Sequence, residues 1–184
     1  MVDRDINLCK YTNSKLHLSY ISTRDSVKKI KTAKAHGLNI TADVALHNLF
    51  LIDEAVNNFD TRFKVLPPLR TKNDNNALIK GLKDGTIDVI CTDHSPRTDE
   101  HKKIEFDNAA NGIIGLETAF GLLGKYILPD IDLDIIIQKI SIPISISNFN
   151  FKFNFNSTFN SNFSFKFKSN SNFNFKFQLL TKNK

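Results

Sequence analysis

The sequence predicts an α/β fold built on a parallel sheet. Strand-like segments alternate with helix-like segments, with at most four of each, and polar side chains capable of chemistry follow the strands. This alternation is typical of parallel sheets with crossover helices, whose functional residues gather beyond the carboxyl ends of the strands. A complete eight-unit barrel takes ~250 residues, whereas the patterned region ends near residue 141. The pattern therefore predicts about half of a barrel.

The first part of the pattern is a strand, a helix and a second strand. Residues 15–21 (KLHLSYI) alternate loosely, as a strand does. Ser22 is placed to cap a helix that ends at Gly37, a residue suited to a left-handed C-terminal cap. Residues 38–44 (LNITADV) are rich in β-branched side chains and predict the next strand. Together these segments predict a βαβ unit.

The second part of the pattern continues the alternation. Residues 63–66 predict a short strand that stops at Pro67, and residues 74–83 (DNNALIKGLK) predict a helix. Residues 86–91 (TIDVIC) predict a buried strand. Two helix candidates follow, of which the second is rich enough in Ile to fit a strand equally well: residues 115–126 and 133–140.

The composition changes abruptly after residue 141, and residues 142–184 form a low-complexity tail of Asn, Phe, Ser and Lys. The formal net charge of +6 comes from six lysines that lie beyond residue 147 without any acid, so the rest of the chain is formally neutral. A basic segment interleaved with aromatic residues can stack on single-stranded nucleic acid. We favour a disordered or artefactual tail, because nothing in it specifies the geometry that recognition needs. We therefore predict no nucleic-acid partner.

Two further features concern location. No run of ~18 uncharged apolar residues occurs, which predicts no membrane span. The N-terminal residues MVDRDINLCKYT lack the apolar core of a secretory signal. Cys9 and Cys91 have no CxxC spacing, so neither a disulfide framework nor a zinc knuckle is indicated. A reducing cytoplasm is the expected location.

Asp93 and His47 are the main candidates for chemistry. Asp93 follows a predicted buried strand and is costly to bury unpaired, so we expect it at the rim, where it can ligate a metal or act as a general base. A turn or helix N-cap before Pro96 explains the same position equally well. His47 follows the second strand and is a candidate metal ligand, although a lone histidine is more often structural. His17, on the first strand, is expected to be packed. No HxH pair accompanies them, so the predicted metal site is incomplete.

Five segments carry a resemblance to a known family: LHLSYIST (16–23), ITADVALHNL (40–49), FKVLPPLR (63–70), ALIKGLKDGTIDVICTDHSP (77–96) and GIIGLET (112–118). In this order they resemble the C-terminal half of the class I dihydroorotases, in the amidohydrolase superfamily. The resemblance implies that residues 1–141 form a partial TIM barrel of the metal-dependent hydrolase type, comprising about the last four βα units. It also implies zinc chemistry, in which a metal-bound hydroxide attacks the cyclic amide of dihydroorotate and yields N-carbamoyl-L-aspartate in pyrimidine biosynthesis.

The resemblance also implies roles for individual residues. Asp93 matches the catalytic aspartate that contacts the metal, and His47 matches a zinc-binding histidine. Asn111 and Gly112 fall where backbone groups contact the substrate. Arg97 replaces the histidine that ends the usual DHAPH motif, and its guanidinium is suited to pair with a substrate carboxylate. The implied ligands are zinc and either dihydroorotate or carbamoyl aspartate.

Two further departures from the family pattern weigh against activity. Tyr20 stands where the family usually has a zinc-binding histidine, and a neutral phenol with a pKa of ~10 is a poor replacement. Leu66 stands where a substrate-binding asparagine is usual. We therefore expect a dihydroorotase-like zinc amidohydrolase fragment that is inactive by itself. The alternative is a non-catalytic scaffold that associates with aspartate carbamoyltransferase. A complementary barrel half is a further expected partner.

Overall fold

Three parallel strands and six α-helices make up the computed structural model, which describes residues 1–140. The strands are β1 (Leu16–Leu18), β2 (Ile40–Ala45) and β3 (Val89–Cys91), and they lie side by side in that order. The helices are α1 (Val2–Thr12), α2 (Arg24–Ala35), α3 (Lys72–Lys83), α4 (Asp99–Lys102), α5 (Ala119–Tyr126) and α6 (Leu133–Ile140). The predicted α/β class with a parallel sheet is thus present, whereas the described residues do not confirm four units. The predicted boundary at residue 141 and the tail 142–184 lie outside the described residues.

The sheet has an apolar face and a polar face. Leu18 of β1 pairs with Ala42 of β2, and both side chains are buried in the core together with Val44. Because side chains alternate along a strand, the neighbouring positions His17 and Asp43 belong to the opposite face. This alternation places polar groups beside the carboxyl ends of the strands.

Helices α2 and α3 cover the apolar face. Ile30 of α2 and Leu78 of α3 are fully buried in the core. Both helices begin with side-chain caps: the Thr23 hydroxyl accepts from the Ser26 amide at 3.2 Å, and the Asp74 carboxylate accepts from the Thr71 hydroxyl at 2.6 Å. The N-cap of α2 is therefore Thr23 and not Ser22 as predicted, because the backbone is still extended at Thr23.

The predicted strand over residues 63–66 is wrong. Thr61–Phe63 forms a 3₁₀ turn, and the chain then continues without a strand partner into two prolines, which have no amide hydrogen to donate to a ladder. The Lys64 ammonium instead donates to the Phe106 and Asp107 carbonyls at 2.6 and 2.9 Å. Side-chain contacts with the chain after β3 thus organise this segment.

Other elements also depart from, or settle, the sequence-based prediction. Strand β3 begins at Val89 and not at residue 86, because the Thr86 amide and hydroxyl both donate to the Asp84 carboxylate. Helix α5 begins at Ala119 and not at residue 115, and the ambiguous segment 133–140 is a helix. Helix α1 was not predicted, although Val2, Ile6 and Cys9 follow helical spacing. Within residues 1–140, no helix combines the length and apolarity needed to cross a bilayer.

Candidate functional site

Asp43 is the centre of a polar cluster at the carboxyl ends of the strands. Its buried carboxylate accepts from the Tyr20 amide at 2.7 Å and from His17 Nε2 at 2.9 Å, and the Cys91 thiol lies at 3.5 Å. His17 Nδ1 shares a further hydrogen bond with the Thr41 hydroxyl at 2.8 Å. This carboxylate therefore joins β1, β2 and β3 at one point.

The cluster contains two functional positions that the sequence-based reasoning missed. Asp43 was not singled out, and His17 is not packed as predicted, because its side chain is 45% exposed. The sequence carried only part of the signal, because Asp43 lies within the predicted strand 38–44 but its place beside His17 depends on the register, which pairs His17 with Thr41. Cys91 and Cys9 are both free thiols, and burial, with the nearby Asp43 carboxylate, raises the pKa of Cys91 to about 12.

Tyr20 and Asp93 form a second pair beside this cluster. Both are non-glycine residues with positive φ, 56° and 46°, a backbone conformation that costs about 1 kcal/mol per residue. The Asp93 carboxylate lies near the Tyr20 hydroxyl, and its charge raises the pKa of Tyr20. Burial raises the pKa of Asp93, with Asp43 adding to the effect and the Tyr20 hydroxyl opposing it. At neutral pH the phenol thus stays protonated beside Asp93.

His47 lies in different surroundings from Asp93. It is 3% exposed in the 3₁₀ turn Leu46–Leu49 that follows β2, and neither ring nitrogen has a hydrogen-bond partner in the protein. Its imidazole lines an apolar pocket, whereas Asp93 lies near Tyr20. Within residues 1–140, no three His, Cys, Asp or Glu side chains converge on a point suited to a metal ion. His47 and Asp93 are thus fewer than the three protein ligands that a catalytic zinc centre usually has.

The three predicted substrate-binding residues are close together. Arg97 Nε donates to the Asn111 carbonyl at 2.9 Å, and the Gly112 amide donates to the Lys64 carbonyl at 3.0 Å. Gly112 has a φ of 144°, and a Cβ there would lie 2.4 Å from the Ser95 carbonyl oxygen. The Asn111 carbonyl and the Gly112 amide thus already have partners within the protein.

His94 has a structural role next to Asp93. Its Nδ1 accepts from the Gly115 and Leu116 amides at 3.3 and 3.2 Å, which places the ring proton of a neutral imidazole on Nε2. These two bonds hold the segment after Gly112 against the chain that follows β3.

The burial of His47 predicts an acid-labile fold. Burial lowers the pKa of His47 from 6.5 to about 4, so the unfolded chain binds more protons than the folded chain between these values. Stability is therefore lost as the pH falls from 6.5 towards 4. Between pH 7 and pH 5 we expect the free energy of unfolding to drop by about 2 kcal/mol through this group. Urea denaturation at both pH values, in wild type and His47→Leu, checks this, and an equal drop in the variant would contradict it.

Comparison with curated proteins finds similar proteins that share one name. Over 128 residues the chain is 54% identical to a dihydroorotase of Thermoanaerobacter sp. (strain X514), an alignment covering 70% of this chain and 30% of the relative. Over 135 residues it is 49% identical to the dihydroorotase of Caldicellulosiruptor saccharolyticus, covering 73% and 31%. This chain is a partial dihydroorotase homologue. It spans about 30% of the length of these dihydroorotases, a smaller share than one half. No family model matches the sequence.

Comparison with solved structures supports the fold. A D-hydantoinase superposes with a TM-score of 0.71 at 21% identity, over 78% of this chain and 33% of that protein. The L-hydantoinase from Arthrobacter aurescens gives 0.68 at 24% identity, over 76% and 32%. The inactive dihydroorotase-like domain of a Chaetomium thermophilum CAD-like multifunctional protein gives 0.54 at 25% identity, over 73% and 36%. The dihydroorotase homologue thus shares an α/β fold with part of these amidohydrolases.

Proposed function

We propose that this chain derives from zinc-dependent dihydroorotases, which hydrolyse a cyclic amide in pyrimidine biosynthesis, and that the 184-residue polypeptide by itself does not turn over dihydroorotate. The ancestry is supported by the identity of about one half with dihydroorotases. The lack of turnover is supported by Tyr20, which stands where a zinc-binding histidine is usual, and by the described residues, among which no three His, Cys, Asp or Glu side chains could hold a metal ion. Asp93 is the proposed catalytic and metal-contacting residue. His47 remains the second proposed metal ligand.

Substrate contacts are part of the same proposal. Arg97 is exposed, and a guanidinium at this position suits a carboxylate of dihydroorotate or carbamoyl aspartate. The hydrogen bond from Arg97 to the Asn111 carbonyl and the close approach of Gly112 to the Ser95 backbone fix the loop on which these residues lie. We assign these residues to anion binding and positioning, and the cytoplasm remains the predicted location.

The test is an assay of the purified 184-residue chain in zinc-supplemented buffer, followed in both reaction directions. We expect no rate above the blank, while the Thermoanaerobacter dihydroorotase under the same conditions serves as the positive control. Turnover by this chain that disappears in the Asp93→Asn variant would overturn the proposal. Turnover that persists in that variant would indicate a contaminating enzyme and leave the expected result standing.

A second candidate function is a non-catalytic scaffold that associates with aspartate carbamoyltransferase. It is favoured by the structural similarity to a domain described as inactive and dihydroorotase-like in a CAD-like multifunctional protein. Size-exclusion chromatography with light scattering, applied to this chain mixed with aspartate carbamoyltransferase from the same organism, tests it. Co-elution at a defined mass ratio supports the scaffold, and separate elution contradicts it.

A complementary barrel half is the other proposed partner. Within residues 1–140, the outer edges of β1 and β3 carry no neighbouring strand, and unpaired strand edges favour pairing with another chain. Amide hydrogen exchange of residues 16–18 and 89–91, with and without a polypeptide carrying the remaining dihydroorotase sequence, tests it. New protection at both edges is expected, and unchanged exchange argues against this partner.

A further inference from the structure

A hydroxyl, an imidazole and a carboxylate lie in series on the polar face of the sheet, and the proposed dihydroorotase chemistry uses none of them. The Thr41 hydroxyl lies 2.8 Å from His17 Nδ1, and His17 Nε2 lies 2.9 Å from an Asp43 carboxylate oxygen. A hydroxyl within hydrogen-bond reach of a base, which a third group orients, is the arrangement that activates serine and threonine nucleophiles. The three side chains therefore have the geometry of an activated nucleophile.

The strand register brings these side chains together and leaves two of them accessible. It pairs His17 of β1 with Thr41 of β2, and Asp43 lies two residues farther along β2, so its side chain is on the same face. Thr41 is exposed and the His17 side chain is 45% exposed, whereas Asp43 is buried. A small molecule in solution can therefore reach the hydroxyl and the imidazole, while the carboxylate is held in place.

The two hydrogen bonds set the direction in which a proton can move. An ionised carboxylate only accepts, so Asp43 directs the single N–H of a neutral His17 ring to Nε2. Nδ1 then presents its lone pair to the Thr41 hydroxyl and can take the hydroxyl proton. His17 is the general base in this arrangement, and Asp43 is a positioning residue that acts through His17. Because the carboxylate repels anions, the acyl donor should be uncharged.

We propose that Thr41 is an acyl-accepting nucleophile for small uncharged esters, with His17 as its general base. A bond forms between Thr41 Oγ1 and the acyl carbon, and the bond from that carbon to the leaving oxygen of the ester breaks. The hydroxyl proton passes to His17 Nδ1 and then to the leaving oxygen, so the products are an ester on Thr41 and a free alcohol or phenol. The proposal does not rest on the dihydroorotase ancestry and uses neither Asp93, His47 nor a metal ion.

The experiment treats the full chain with p-nitrophenyl acetate and locates the acetyl groups by peptide mass spectrometry. Thr98 is an internal control, because its hydroxyl lies 3.1 Å from His101 Nδ1 but, within residues 1–140, no carboxylate hydrogen-bonds the other nitrogen of that ring. General-base catalysis contributes about 100-fold or more, so we expect Thr41 to be acetylated at least about 100-fold faster than Thr98. Acetylation of Thr41 no faster than that of Thr98 in the folded wild type would overturn the proposal.

Two variants separate activation of the hydroxyl from support of the fold. His17→Gln should lower the acetylation rate of Thr41 to about that of Thr98, and a wild-type rate in the folded variant would contradict the role of the imidazole. Asp43→Asn should lower the rate about 100-fold. Nitrogen NMR of the His17 ring reads its positioning directly: the proton should lie on Nε2 in the wild type and be shared between both nitrogens in Asp43→Asn. A wild-type ring with its proton on Nδ1 would overturn the proposal even if neither variant folds.

Discussion

Asp43→Ala is expected to lower the free energy of unfolding by about 3 kcal/mol. The substitution leaves the Tyr20 amide without its acceptor at 2.7 Å and removes the partner of His17 at 2.9 Å. It also removes the contact with Cys91 from β3, so all three strand ends lose a shared anchor. Chemical denaturation monitored by circular dichroism measures this change.

The matched control for that prediction is Asp25→Ala. Asp25 is also an aspartate, but its side chain is 76% exposed and its ion pair with Arg24 is long, at 4.0 Å. Exposed pairs of this kind contribute about 0–1 kcal/mol, so the control should stay within about 0.5 kcal/mol of wild type. A loss in Asp43→Ala no larger than in Asp25→Ala would contradict the anchoring role of Asp43.

Gly112→Ala is expected to destabilise the chain by at least about 3 kcal/mol. A φ of 144° is a conformation that side chains other than glycine rarely adopt, and the added Cβ would lie 2.4 Å from the Ser95 backbone oxygen. Because the obstacle is backbone and not a flexible side chain, relief requires the loop carrying Arg97 and Asn111 to move. Thermal and urea denaturation, with amide shifts of Arg97 and Asn111, measure both effects.

Gly121→Ala provides the opposite expectation for the same chemical change. Gly121 lies in helix α5, and nothing lies within 4 Å of a Cβ placed there. Alanine in a helix is favoured over glycine by up to about 1 kcal/mol, so this variant should be as stable as wild type or more so. If Gly112→Ala and Gly121→Ala were equally stable, the predicted clash of a Cβ at Gly112 with the Ser95 backbone would be refuted.

Much of the fold could be predicted from patterns among residues that are close together in the sequence. The β-branched side chains of residues 38–44 predicted β2, which is largely buried in the structure. Gly37 predicted the end of α2, and in the structure it has a positive φ of 79°. The failures depend on distant contacts. The segment 63–66 is held by carbonyls about 42 residues away, and the stretch before α5 is held through the Gly115 and Leu116 amides by His94, which lies 21 and 22 residues earlier in the sequence.

The site was predicted less completely, for a similar reason. Motif position identified Asp93, Arg97, Asn111 and Gly112, and the last three do lie together. The nearness of Tyr20 to Asp93 and the hydrogen bonds of Asp43 to residues from three strand ends depend on the register and on left-handed backbone at Tyr20 and Asp93. Such conformations are uncommon for residues with side chains.

The zinc content of the purified 184-residue chain tests the central claim most directly, because the residues that the structure describes bring no three His, Cys, Asp or Glu side chains together at a point that could hold a metal ion, and His47 stands in an apolar pocket. After equilibration with zinc and removal of unbound metal, elemental analysis should find far less than one zinc per chain, with no difference between wild type and Asp93→Asn. One zinc per chain in wild type that is lost in both Asp93→Asn and His47→Leu would contradict the account.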